Sequence, residues 1–124
     1  MYTKKVMEQF QKSSNHGEIK DADGIGKVGN PKCGDVMWIY LKIRDDIIVD
    51  AKYKTFGCVA AIASSSMAID MIKGKHIQEA LKVSNRAVAE AMEGLPPEKM
   101  HCSVLAEEGI QKAIEDYQRR KGQS

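Results

Sequence analysis

Apolar and polar residues alternate over positions 36–44. Met37, Ile39, Leu41 and Ile43 fall on one side and Trp38, Tyr40 and Lys42 on the other, which is the period of a strand with one buried face. Asp45 and Asp46 read as a turn. A second strand follows over 47–56, with Ile47, Val49, Ala51 and Tyr53 on one face and Asp50, Lys52 and Lys54 on the other. The pair predicts an antiparallel hairpin with one face on a core. After Gly57 the period becomes helical through Val59, Ile62, Ala63, Ser66 and Met67, and Lys73 with Gly74 supplies a stop. The small residues of AAIASSS let this helix lie close to a sheet. Residues 76–83 read as a short helix, and Ser84 or Asn85 caps another over 86–92. Pro96 and Pro97 force a break. From about Ser103, Leu105, Ile110, Ile114 and Tyr117 mark a C-terminal helix. Upstream, residues 3–13 read as a short helix with Val6 and Phe10 on one face. Residues 14–35 read mainly as loop, with a short strand at 25–28. The order of helix, strands and then helices predicts an α+β fold, a small antiparallel β-sheet with helices packed on one face.

The 124 residues fit one domain spanning 1–124, with an N-terminal helical segment, 1–13, that is free to move. The net charge of +2 is too small to argue for nucleic acid, and two Phe, one Trp and four Tyr offer no stacking platform for bases. No apolar run reaches the length of a membrane span. The start, MYTKKVMEQFQKS, is charged and amphipathic, unlike a secretory signal. A cytoplasmic protein is expected, without nucleic acid or membrane as partner. Three cysteines in a reducing compartment argue for free thiols or metal ligands over a disulfide framework.

Residues 24–29, GIGKVG, match the G-x-G-x-x-G pattern of dinucleotide sites. That fingerprint needs a buried strand before it and a helix directly after. Polar EIKDAD precedes it and Asn30 and Pro31 follow, so the match reads as a flexible loop whose glycines permit turns and close packing.

Cys33, Cys58 and Cys102 contain no C-x-x-C, and their spacing alone is a weak metal signal. Their settings say more. Cys33 precedes a strand, Cys58 lies between a strand and a helix, and Cys102 lies just before or at the start of the last helix. A structural cysteine more often sits inside an apolar stripe. Helix N-termini favour thiolate, the form that binds metal and attacks sulfur. Asp35 follows Cys33 by two positions, and His101 adjoins Cys102. Together, Cys33, Asp35, Cys58, His101 and Cys102 would offer soft, borderline and hard donors suited to zinc or an iron–sulfur cluster. A carboxylate in the set suggests a site that releases what it holds. These observations do not separate zinc from a cluster, nor a shared site from three separate thiols.

Three stretches then carry a resemblance. NPKCGDVM, TFGCVAAIASSS and LPPEKMHCSVLAEEGI, in this order and spacing, closely resemble three consecutive motifs of the IscU family of iron–sulfur cluster scaffolds, which includes the N-terminal domain of NifU. The resemblance runs from YTKKVMEQF to the C-terminal AIEDY. It implies a SufE/NifU-like α+β fold and a protein that is not an enzyme in the usual sense. Such scaffolds receive persulfide sulfur from a cysteine desulfurase, take up Fe2+ and accept electrons from a donor such as a ferredoxin. They assemble a [2Fe–2S] cluster and pass it to apo-proteins; Zn2+ can occupy the cluster-free form. By motif match, Cys33, Cys58 and Cys102 are the ligating cysteines, and Cys102 is the persulfide acceptor. Asp35 and His101 are the accessory residues, either of which completes coordination, and Asp35 keeps the cluster labile. Lys99 is a basic residue beside the site, where it favours thiolate. Tyr2 resembles an N-terminal tyrosine at a homodimer contact.

Departures from the pattern narrow these implications. QKSSNHGE follows Phe10 where many relatives carry Asn-Pro-Arg-Asn, which weakens the case for a partner contact there. LPPEK stands where the chaperone-recognition segment is typically Leu-Pro-Pro-Val-Lys. The charge of Glu98 argues against strong dependence on a DnaK-type chaperone. The absence of a long insertion between Cys58 and Cys102, together with His101, points away from the zinc-binding SufU branch, whose sulfur-acceptor role is the alternative function. Elsewhere, His16 and His76 are expected on the solvated surface, Met67, Met71 and Met92 in the core, and Trp38 against a helix or a partner. Arg119, Arg120 and Lys121 are expected to complement the last helix dipole.

Overall fold

Met37, Ile39, Leu41 and Ile43 are all buried on one face of β2 (Asp35–Arg44). This is the central strand of a three-stranded antiparallel sheet, flanked by β1 (Gly24–Asn30) and β3 (Ile47–Thr55). Residues 2–12, 14–30, 35–55 and 57–122 are described in this computed structural model. The helices α2 (Val59–Ile72) and α5 (Met100–Gly122) cover the buried face, with α1 (Lys4–Gln11), α3 (Ile77–Ala80) and α4 (Asn85–Ala91) around them. The expected α+β architecture, with helices on one face of a small antiparallel sheet, is the one observed.

Two local expectations need correction. The first is the phase of β3. Lys42 pairs with Asp50, but Ile43 pairs with Ile48, so a β-bulge leaves Val49 as the extra residue. The bulge moves the buried position from Val49 to Ile48: Ile48 is fully buried and Val49 is 53% exposed. The bulge adjoins a two-residue turn in which Asp45 and Asp46 adopt φ of 53° and 62°, values that aspartate tolerates.

The second is the glycine-rich stretch. GIGKVGN is a full seven-residue edge strand, longer than the short strand expected at 25–28 and not the flexible loop read from its glycines. Its glycines let α5 lie directly on the strand backbone. A Cβ on Gly26 would strike the carbonyl oxygen of Gly109 and come within 2.6 Å of the Ala113 nitrogen; one on Gly24 would strike the Ala113 carbonyl. Ile25 N donates to Asp116 Oδ2 of the same helix at 2.9 Å. Close packing was foreseen for these glycines, and the short strand expected at 25–28 extends to Gly24 and Asn30.

Trp38 lies on the outer face of the sheet, where Lys27 Nζ stands 5.4 Å from its ring centroid, opposite it in the register.

The outer edge of β3 is closed by chain. Tyr53 exchanges backbone hydrogen bonds with Asn15 and Gly17, and Ile48 with Lys75 and Gly74. This removes an exposed template for further strands. His76 is correspondingly more than a surface residue. It caps α3, its Nδ1 accepting from Gln78 N at 3.1 Å. His16 is exposed as expected, edge-on to the Tyr53 ring. Met92 is fully buried, and Met67 and Met71 pack on the core as foreseen. Arg119 and Arg120 pair with Asp116, and Lys121 pairs with Asp46, so the C-terminal cations act through specific carboxylates.

The N-terminal helix is docked. Val6 is fully buried, and Thr3 Oγ1 donates to Met92 O at 2.6 Å while accepting from Val6 N as the helix cap. Asp70 of α2 receives Gln9 Nε2, Lys12 Nζ and Asn15 Nδ2 at 3.0, 2.8 and 2.8 Å. Burial pushes the Asp70 carboxyl up, but these three donors and the Lys12 charge outweigh it and hold the group below its ordinary value of 3.8.

Candidate functional site

The sharp change from strand to helix at residues 55–59 places Cys58. Thr55 Oγ1 donates to Val36 O at 2.8 Å and accepts from Gly57 N, pinning the end of β3 against β2. Cys58 then takes extended backbone angles as the N-cap of α2. Its side chain makes no capping bond to the helix, so the sulfur is not committed to the α2 backbone.

Cys102 is placed by a proline-led entry. Pro96 precedes a single 3₁₀ turn, Pro97–Lys99, which runs without a gap into α5. Helix α5 therefore begins at Met100, three residues before the expected start, and carries His101 and Cys102 in its first turn. Lys99 ends the 3₁₀ turn immediately before them. Ser103 Oγ donates to Met100 O at 2.7 Å and steadies that turn.

The starts of α2 and α5 meet. Cys58 Sγ lies 3.9 Å from Cys102 Sγ, and Cys102 Sγ lies 3.6 Å from His101 Nε2. Cys102 is fully buried with Ala60 and Ala61, and Tyr2, Leu95 and Cys58 pack around this small group. Of the five candidate ligands, three are thus brought together. Among the described residues no three His, Cys, Asp or Glu side chains form a set that could by itself hold a metal ion. Cys33 lies outside the described residues, and of Asp35 the description covers the backbone alone. That backbone starts β2 opposite Asn30, at the same end of the sheet as Thr55 and hence as the chain leading into Cys58.

The packing of Tyr2 on the cluster of Ala60, Ala61 and Cys102 was not foreseen from the sequence. No local signal could have shown it, because it arises from tertiary packing between distant parts of the chain. Leu95 was likewise missed; an apolar residue just before Pro96 is the one hint. No described helix is long and apolar enough to cross a membrane.

Comparison with known proteins places the chain in a family. The sequence profile of the NifU-like N-terminal domain matches residues 1–124. The iron–sulfur cluster assembly scaffold protein IscU 1 of Archaeoglobus fulgidus is 58% identical over 122 residues, covering 98% of this chain and 80% of that protein. The scaffold protein IscU of Haemophilus influenzae is 46% identical over 125 residues, with 98% of each chain covered. Among solved structures, a scaffold protein for the SUF system from Fervidobacterium islandicum superposes with a TM-score of 0.77 at 25% identity, covering 91% of this chain and 96% of that one. With a profile match over its full length and relatives this similar, the chain belongs to the family of NifU-like N-terminal domains.

Proposed function

We propose that this protein is a scaffold on which a [2Fe–2S] cluster is built from iron and persulfide sulfur and from which the cluster passes to apo-proteins. It is not an enzyme with a product of its own, and residues 1–124 are read as one scaffold domain. The observation that carries the reading is the meeting of Cys58, Cys102 and His101 at the adjoining starts of α2 and α5. Two thiols and an imidazole are the donors that zinc and iron–sulfur clusters accept. The similar proteins of Archaeoglobus fulgidus and Haemophilus influenzae bear the name of iron–sulfur cluster assembly scaffold, and the similarity spans nearly the whole chain.

Within this reading Cys33 is the third thiolate, and Asp35 or His101 completes the set. A hard carboxylate oxygen is a weaker partner for cluster iron than a thiolate, so Asp35 makes the cluster easier to release. Cys102 accepts the persulfide sulfur, and Lys99 favours the thiolates beside it. The partners are a cysteine desulfurase, an electron donor of the ferredoxin kind and the recipient apo-proteins, with a second copy of the chain as a further candidate. Free thiols of this kind belong in the reducing cytoplasm.

The deciding experiment measures iron, zinc and acid-labile sulfide per chain after anaerobic incubation with ferrous iron, cysteine and a desulfurase. Equal iron and sulfide are expected, with neither retained by Cys58→Ser. Tightly held zinc with no sulfide after that treatment would replace this reading with a zinc-binding sulfur acceptor.

A further inference from the structure

The two described thiols are already neighbours. Their sulfurs stand 3.9 Å apart, close to van der Waals contact, whereas a disulfide needs about 2.05 Å. Their settings differ. Cys102 is fully buried with Ala60 and Ala61, and Tyr2, Leu95 and Cys58 pack on this group. Cys58 is half-buried, and its sulfur is not used to cap α2. The thiol best placed to reach a sulfur atom carried on Cys102 is therefore within the same chain.

Resting on the scaffold reading above, the geometry points to Cys58 as a resolving thiol that frees sulfide from a persulfide on Cys102. The Cys58 thiolate attacks Cys102 Sγ. The bond from Cys102 Sγ to the outer sulfur breaks, and its electron pair leaves with that sulfur as hydrosulfide. The other product is a disulfide between Cys58 and Cys102. Cys58 Sγ rises from the thiol to the disulfide level, the outer sulfur falls from the persulfide to the sulfide level and Cys102 Sγ is unchanged, so the step itself consumes no external reductant. One thiolate enters and one hydrosulfide leaves, which conserves charge. Hydrosulfide leaves readily because its conjugate acid is stronger than an ordinary thiol. An external dithiol, or two monothiols, then reopens the disulfide for the next round. Sulfide, the form a cluster incorporates, is released beside the site, and reopening the disulfide restores the two thiolates proposed to hold the iron.

The test uses the full chain, reduced and desalted without oxygen, pulsed with inorganic polysulfide and freed of the excess. Released sulfide is assayed, and intact mass with peptide mapping follows the cysteines. Cys102 is expected to gain one sulfur. The chain then releases one sulfide and ends two hydrogens lighter than the reduced protein, with the disulfide mapped to Cys58 and Cys102. Cys58→Ser should hold the added sulfur on Cys102 and release sulfide at least about tenfold more slowly. The mapped disulfide is read on wild type, so it decides even if that variant folds poorly. A wild-type persulfide as long-lived as that of Cys58→Ser, or a disulfide mapped to Cys33, would overturn the resolving role and leave Cys102 as acceptor. Absence of any sulfur on Cys102 would overturn both.

Discussion

The backbone amide of Ile25 donates to Oδ2 of Asp116, 91 residues further along the chain, at 2.9 Å. One carboxylate on α5 thus occupies the outward amide of the edge strand and also draws in Arg119 and Arg120. Burial pushes the Asp116 carboxyl up, but the Ile25 amide and the two arginines outweigh it and hold the group below 3.8. Asp116→Ala should cost about 1–2 kcal/mol in urea unfolding. Asp116→Asn, which keeps an acceptor oxygen, should cost less. Equal losses from the two variants would show that charge, not the strand amide, is what Asp116 serves.

Acid should loosen the N-terminal helix before it unfolds the protein. The Asp70 pKa is depressed in the folded state. Its contribution is therefore complete above the ordinary value of 3.8 and is lost as pH falls through the lower, folded value. Asp70→Asn should raise amide exchange over residues 4–11 at neutral pH, and this difference from wild type should shrink as pH falls below 3.8. A difference that grows in acid would contradict the role given to Asp70.

Glycine-to-alanine changes should divide by position. Gly26→Ala drives a methyl group into the α5 backbone and should cost about 3 kcal/mol, as overpacking does when neither side can yield. Gly74 has open space but a φ of +81°, so Gly74→Ala should cost about 1 kcal/mol through backbone strain alone. Thermal unfolding of the pair, side by side, measures both.

If Asp35 keeps the cluster labile, Asp35→Ala should slow cluster loss several-fold. The absorbance of the reconstituted cluster under a chelator gives the rate. Loss as fast as in wild type would remove Asp35 from that role.

The sequence was most legible where one local period governs. Met37, Ile39, Leu41 and Ile43 are buried as their alternation predicts, and Ser84 caps α4 as its residue type predicts. It misled where a tertiary contact decides. The burial of Ile48 in place of Val49 depends on a bulge that no hydrophobic pattern encodes. GIGKVGN has weak strand propensity and is a strand because α5 lies on it. Trp38 looks like a core residue, yet its position in the alternation already put it on the outer face, beside Lys27. At the site, residue types and element ends marked Cys58, His101 and Cys102. Their separations of 3.9 and 3.6 Å arise from the packing of α2 against α5, which spacing along the chain cannot show.

Helix α5 also sets a reach. It is held against β1 along its middle by Gly24 and Gly26, and at its far end by Tyr117 and Lys121 on Asp46. Cys102 rides near one end of this unbroken helix of 23 residues, with Gly122 at the other, about 30 Å away. A chain tethered through its C-terminal end to a surface or a larger assembly would hold its thiols that far from the attachment point. Whatever docks on them would then meet them with the tether out of the way.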